Sequence, residues 1–219
     1  MSLFLFYMAT GSPFSAISPL SFSLHMIQIS VLFFIFPPIF MLGIPESMFK
    51  AIRKHSAIKG ILKLFPPPKA ALVAFAILFF MYHVPVMLNM LSQFSFIQHI
   101  YLLLLFLLAF HMWTPITSPD SSHRLHKEQL KRYAFKSSIF IMPACLLFIV
   151  NALVNGMDNP FLAERTAHLC IPYQTTSTFS LLPPPFNTKY DQMMAGVFML
   201  GMHKTGIKLS LRLVQRHNR

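Results

Sequence analysis

The chain has 219 residues, of which 55% are hydrophobic and only 11% charged, with 24 Phe and a mean hydropathy of +0.58. A soluble domain carries about 25% charged residues, so this chain cannot cover its own surface with polar groups. A soluble enzyme and a disordered chain are excluded, and two Cys exclude a disulfide-stapled secreted domain. The net charge of +12 would suit a nucleic-acid binder, but basic residues confined to a few loops of a Phe-rich chain fit a polytopic membrane protein better.

In chain order, residues 1–10 (MSLFLFYMAT) are apolar but too short to span, and they lack the charged start of a signal peptide. Gly11-Ser12-Pro13 then interrupts the run. The segment reads as the outer end of a helix, with an interfacial or re-entrant segment as the alternative. A spanning helix needs about 20 mostly apolar residues. Windows 24–43, 70–90, 97–114, 135–154 and 191–211 qualify, the last weakened by His203, Lys204 and Lys208, whose side chains can snorkel. The expectation is an all-α transmembrane helix bundle of five spans plus an N-terminal partial span. It forms one integral-membrane domain over 1–219, with a long, Pro-containing outer loop at 155–190.

The loop charges order these spans. Lys50, Arg53, Lys54, Lys59, Lys63 and Lys69 lie in the first loop, and Arg124, Lys127, Lys131, Arg132 and Lys136 in the third. Lys204, Lys208, Arg212, Arg216 and Arg219 lie in the tail, and only Arg165 and Lys189 fall on the other side. The positive-inside rule makes the basic side cytoplasmic, in a cell-membrane protein with its N-terminus outside and its C-terminus in the cytoplasm. The last window must then run inward, which supports it despite its modest hydropathy.

Ionisable residues within spans are costly and are functional candidates by default. His25, His83, His99 and Asp191 fall in the outer third of four different windows, with His83 about 10 Å deep by helical rise. Met26 follows His25, and Met87 stands four residues after His83, on the same face of a continuous helix. Imidazole and thioether donors together favour copper, Cu(I) above all, while Asp191 could fix a histidine tautomer from outside the ligand set. Each residue also has a plainer reading: Met as apolar filler, an interface His as a hydrogen-bonding group, and His83 as a partner for a carbonyl freed by Pro85. His111 lies about 18 Å further along the helix than His99 and, with Trp113, reads as an anchor at the inner interface. His168 and Cys170 are a weak metal pair. Phosphate-loop, His-Glu-x-x-His, Gly-x-Ser-x-Gly and Cys-x-x-Cys patterns are missing, so no enzymatic role is expected. No nucleic acid is expected either, because the basic loops are short and poor in aromatics.

Several runs stand in a distinctive order: His25-Met26-Ile27-Gln28, Pro37-Pro38, Leu42-Gly43-Ile44-Pro45, His83-Val84-Pro85, His99, His111–Pro115 (HMWTP), and Asp191-Gln192 before Ala195-Gly196. Taken together they resemble the multi-pass assembly factor of caa3-type cytochrome c oxidase, the bacillar CtaG family. The resemblance covers nearly the whole chain. It implies a membrane protein that helps a haem–copper oxidase become active at a copper-delivery or metallation step, with oxidase subunits and the lipid bilayer as partners. It also implies about seven spans of about 20 residues each. Residues 1–10 then match the outer end of the family's second span, leaving the start of the family domain outside this chain. Ile29 stands where many relatives carry a second histidine, four residues after the first.

Four functional readings follow. The first is an assembly factor that holds copper transiently at the outer face through His25, His83, His99 and Asp191, with Met26 or Met87 assisting. The alternatives are a transmembrane b-type haem protein, a copper transporter, which needs a polar path past the midplane, and a scaffold whose histidines only hydrogen-bond.

Overall fold

A computed structural model describes residues 2–56, 58, 60, 66–120, 124–154 and 183–217, and no strand occurs among them. Residues 155–182, with most of the outer loop and the His168–Cys170 pair, lie outside the described residues. The helices are α1 (Ser2–Thr10), α2 (Pro13–Ile17), α3 (Phe22–Ser30), α4 (Phe36–Leu42), α5 (Glu46–Lys54), α6 (Pro68–His83), α7 (Pro85–Gln93), α8 (Ser95–Thr117), α9 (Lys127–Val154) and α10 (Lys189–His217). A 3₁₀ turn, Ser18–Leu20, leads into α3, and a π-helical turn, Val31–Ile35, joins α3 to α4.

Packing closes a ring. The α3–α4 rod lies against α10 on one side and α8 on the other; α8 packs on α6, α6 on α9, and α9 on α10. Aromatic side chains fill the middle: Phe33 and Phe34 meet Phe75 and Phe79 edge to face at 5.4–6.1 Å. Such pairs add about 1 kcal/mol each beyond burial.

By length and composition, Ser2–Leu20, Phe22–Leu42, Ser95–Thr117 and Glu128–Val154 can each cross a membrane, and the pair Pro68–His83 and Pro85–Gln93 can do so as one broken span. Two points differ from the sequence reading. The break at Gly11 is mild, since the Gly11 amide still bonds Tyr7 O at 2.8 Å, so the N-terminal segment reaches spanning length. Window 191–211 lies within a 29-residue helix that is not among the apolar spans. That helix turns Asp191, Gln192, His203 and Ser210 into the interior and leaves Lys204, Lys208 and Arg212 exposed, so polar residues on both faces lower its hydropathy. His203 therefore does not snorkel: its Nε2 lies 2.9 Å from Ser137 Oγ, and its ring packs on Phe34.

The π turn follows from Pro37-Pro38. The Phe33 carbonyl would bond the amide of residue 37 in an α register or residue 38 in a π register, and both are Pro without N–H. Trp113 supplies the missing donor, its Nε1 standing 2.9 Å from Phe33 O. This indole is buried in the bundle and is not the interface anchor expected from sequence. Gly206 lets α10 approach the same turn: a Cβ there would sit 2.3 Å from Phe34 O. Gly196 does the same on α9, where a Cβ would meet Cys145 O at 2.5 Å. Small residues at such contacts are the usual means of close helix packing in lipid.

The basic segments collect at one end. Tyr133 Oη donates to Met112 O at 2.7 Å and lies 3.4 Å from Pro68 O, and the Leu125 amide bonds Pro115 O at 3.0 Å. The starts of α6 and α9 and the end of α8 therefore share a level. The amphipathic α5 belongs to the same end, its Arg53 lining a groove with Phe110 and His111. Within α5, the hydrogen bond and charge of Glu46 hold the exposed Lys50 ammonium above its usual pKa.

Candidate functional site

The opposite end is organised by Asp191 in the first turn of α10. Its Oδ1 accepts from Ser21 Oγ (2.9 Å), the Ser23 amide (3.2 Å) and Ser23 Oγ (2.5 Å). Its Oδ2 accepts from Ser21 Oγ (3.0 Å) and from the amides of Phe22 (2.9 Å) and Asn187 (3.0 Å). Phe22 and Ser23 open α3, so two of its orphan N–H groups end on a carboxylate 168 and more residues away. Burying a carboxylate costs several kcal/mol unless its oxygens are bonded, and here the donors and the positive end of α3 offset that cost. Asn187, in the left-handed region at φ 56°, completes the clasp by donating from Nδ2 to Leu20 O at 2.6 Å. Asn tolerates that backbone better than most residues. All the ordinary acceptor sites of Asp191 are thus engaged.

One turn into α3 stands His25, buried, with Nε2 3.2 Å from Tyr82 Oη. Gln28, a turn further, donates from Nε2 to Ala9 O at 2.7 Å and accepts from Ser18 Oγ, which ties the N-terminal helices to α3. His83 is the last residue of α6 and is fully buried. Its Nδ1 lies 2.5 Å from Phe79 O. A carbonyl only accepts, so Nδ1 carries the hydrogen and Nε2 presents a lone pair. Nε2 has no hydrogen-bond partner among the described residues. The ring is boxed by Phe79, Tyr82 and Phe148, with centroids at 4.4, 5.2 and 5.4 Å. A histidine whose Nδ1–H is fixed by a carbonyl is oriented as metal-binding histidines are. Both rings lie beside Tyr82, His25 at 6.4 Å and His83 at 5.2 Å between centroids.

The six residues nominated from sequence are therefore placed unequally. His25 and His83 share one buried region, with Met26 next to His25 in the core. Asp191 stands at the entrance to α3 and serves as its cap. His99 is exposed on α8, its Nδ1 2.6 Å from Ser95 O; two residues on, Tyr101 turns inward, donating to Leu78 O at 2.7 Å and stacking on Tyr82. Met87 lies beyond a 78° bend between α6 and α7, so it does not share a helix face with His83. Pro85 causes this break by holding Val84 extended, at φ −67° and ψ 130°. Among the described residues, no three His, Cys, Asp or Glu side chains are grouped to hold one ion.

Sequence reasoning missed Tyr82, Ser21, Ser23 and Asn187. Ser21 carried a legible signal, a Ser before an apolar run, which is an N-cap pattern; its Oγ does accept from the Leu24 amide at 3.4 Å. Tyr82 carried none, because a tyrosine beside a span's end is ordinary.

Neither a curated protein nor a solved structure matches the chain. The family model described as cytochrome c oxidase caa3 assembly factor matches residues 1–210. A match over that length, on an all-α bundle of membrane-spanning helices, shows that the chain belongs to the caa3 cytochrome c oxidase assembly-factor family.

Proposed function

We propose that this protein is a non-catalytic assembly factor that presents Cu(I), as cargo, to a caa3-type oxidase at the outer face of the cell membrane. The observation that supports copper is the bare, buried Nε2 of His83, set in the tautomer that ligates. His83 is the leading ligand and His25 the second, with the soft thioether of buried Met26, next to His25 in the chain, as the third donor. Asp191 contributes by holding the start of α3, and so His25, in place. Exposed His99 and half-buried Met87 stand outside this donor set. The donor set is spare, two histidines and a thioether, which suits a soft ion held briefly better than a resident metal. The clustered cations favour the basic end as cytoplasmic, with the N-terminus outside and the C-terminus inside.

The test is anaerobic loading of the purified protein with Cu(I), followed by desalting and metal analysis. Wild type should retain copper, His83→Gln should retain at least about tenfold less, and His99→Ala should stay close to wild type. Equal retention in wild type and His83→Gln overturns the copper role. A Soret band in the purified protein would overturn it in favour of haem.

A further inference from the structure

The wall between α6 and α9 carries a groove of about 640 Å³ that the oxidase reading does not use. Lys69 opens it from α6; Arg132 and Lys136, four residues apart on α9, open it from the other side, with Gln129 one turn before. Beyond these cations both walls become apolar: Leu72 and Val73 follow Lys69 by a turn, and Ile139 and Phe140 follow Lys136. Val73, Ile139 and Phe140 are exposed, at 37–46%. Among the described residues no carboxylate is ion-paired with Lys69, Arg132 or Lys136; Glu128, the nearest on α9, bonds Lys131 at 3.2 Å. Three unneutralised cations at the mouth and an apolar slot running along the spans match the two halves of one amphiphile. A free anion would use only the first half, and an apolar peptide only the second. Basic pockets between spanning helices are a known means of holding anionic headgroups.

We propose that this groove binds one anionic phospholipid, its phosphate against Lys69, Arg132 and Lys136 and an acyl chain along Leu72, Ile139 and Phe140. The site is independent of the copper reading. Bound lipid would bridge α6 and α9, whose ends at this level are otherwise joined through Tyr133.

The experiment is native mass spectrometry of the purified full chain given equal phosphatidylglycerol and phosphatidylcholine in detergent. Wild type should retain phosphatidylglycerol at least about fivefold over phosphatidylcholine. Lys69→Gln/Arg132→Gln/Lys136→Gln should bring that ratio near one, and Arg132→Glu/Lys136→Glu should turn it toward phosphatidylcholine. All five substitutions lie on exposed cations, and an unchanged helical circular-dichroism spectrum checks the fold. Lys50→Gln/Arg53→Gln/Lys54→Gln on α5 should leave the ratio as in wild type. The proposal is overturned by no preference in wild type, by a preserved preference in the triple-Gln groove variant, or by an equal loss in the α5 variant, which would mean diffuse surface charge. It is also overturned if glycerophosphate competes as well as phosphatidylglycerol, which would mean an anion site without a lipid slot.

Discussion

At the scale of single residues, the bundle depends on polar groups satisfied by partners far away in sequence. Trp113→Phe keeps an aromatic side chain but removes the indole N–H and leaves Phe33 O without a donor, since Pro37 and Pro38 provide none. It should destabilise the protein by about 1–3 kcal/mol, read as a lowered urea midpoint in micelles; an unchanged midpoint would mean that the indole bond is idle. Gly206→Ala places a methyl group against the Phe34 backbone, where no flexible side chain can give way, and should cost about 3 kcal/mol. Asp191→Asn turns an acceptor of five donors into a group with donors of its own, and a loss of about 2 kcal/mol or more is expected. Retained stability there would contradict the capping role. Little of this was legible. That an intramembrane Asp or His matters follows from cost alone, but whether it is a ligand or a cap depends on its neighbours. For Asp191 those neighbours are Ser21, the N-cap of α3, and Ser23 in its first turn.

At the scale of elements, apolar length identified most spans, because a bilayer imposes a minimum run that few soluble segments reach. Two elements escaped that logic for opposite reasons. Helix α10 buries Asp191, Gln192, His203 and Ser210 on one face and exposes Lys204, Lys208 and Arg212 on the other, so its mean hydropathy is low, and the charge pattern of the loops supported a window that apolar length alone left weak. Window 70–90 is long and mostly apolar, yet Pro85 divides it, a signal present in the sequence that length-counting overrides. The bend is testable. Spin labels at Ile77→Cys and Met90→Cys, both exposed, in a background with Cys145 and Cys170 replaced by Ser, should lie closer than the about 20 Å of a straight helix. Pro85→Ala should lengthen that distance. No lengthening would mean that packing, not proline, sets the bend.

At the scale of the whole molecule, the two ends differ in chemistry. One carries the cations and the lipid-fitting groove; the other carries the Asp191 clasp and the His25–His83 pair. The proposed copper delivery would use the second end, where the two histidines lie. The most direct measurement compares a strain lacking the gene with strains restored by wild type, His83→Gln or His99→Ala, assaying copper, haem and subunit content of the membrane oxidase separately. With equal amounts of each variant in the membrane, His83→Gln should leave haem and subunits near wild type while oxidase copper falls toward the level of the deletion. His99→Ala should restore all three. Full copper in the His83→Gln strain would contradict the account.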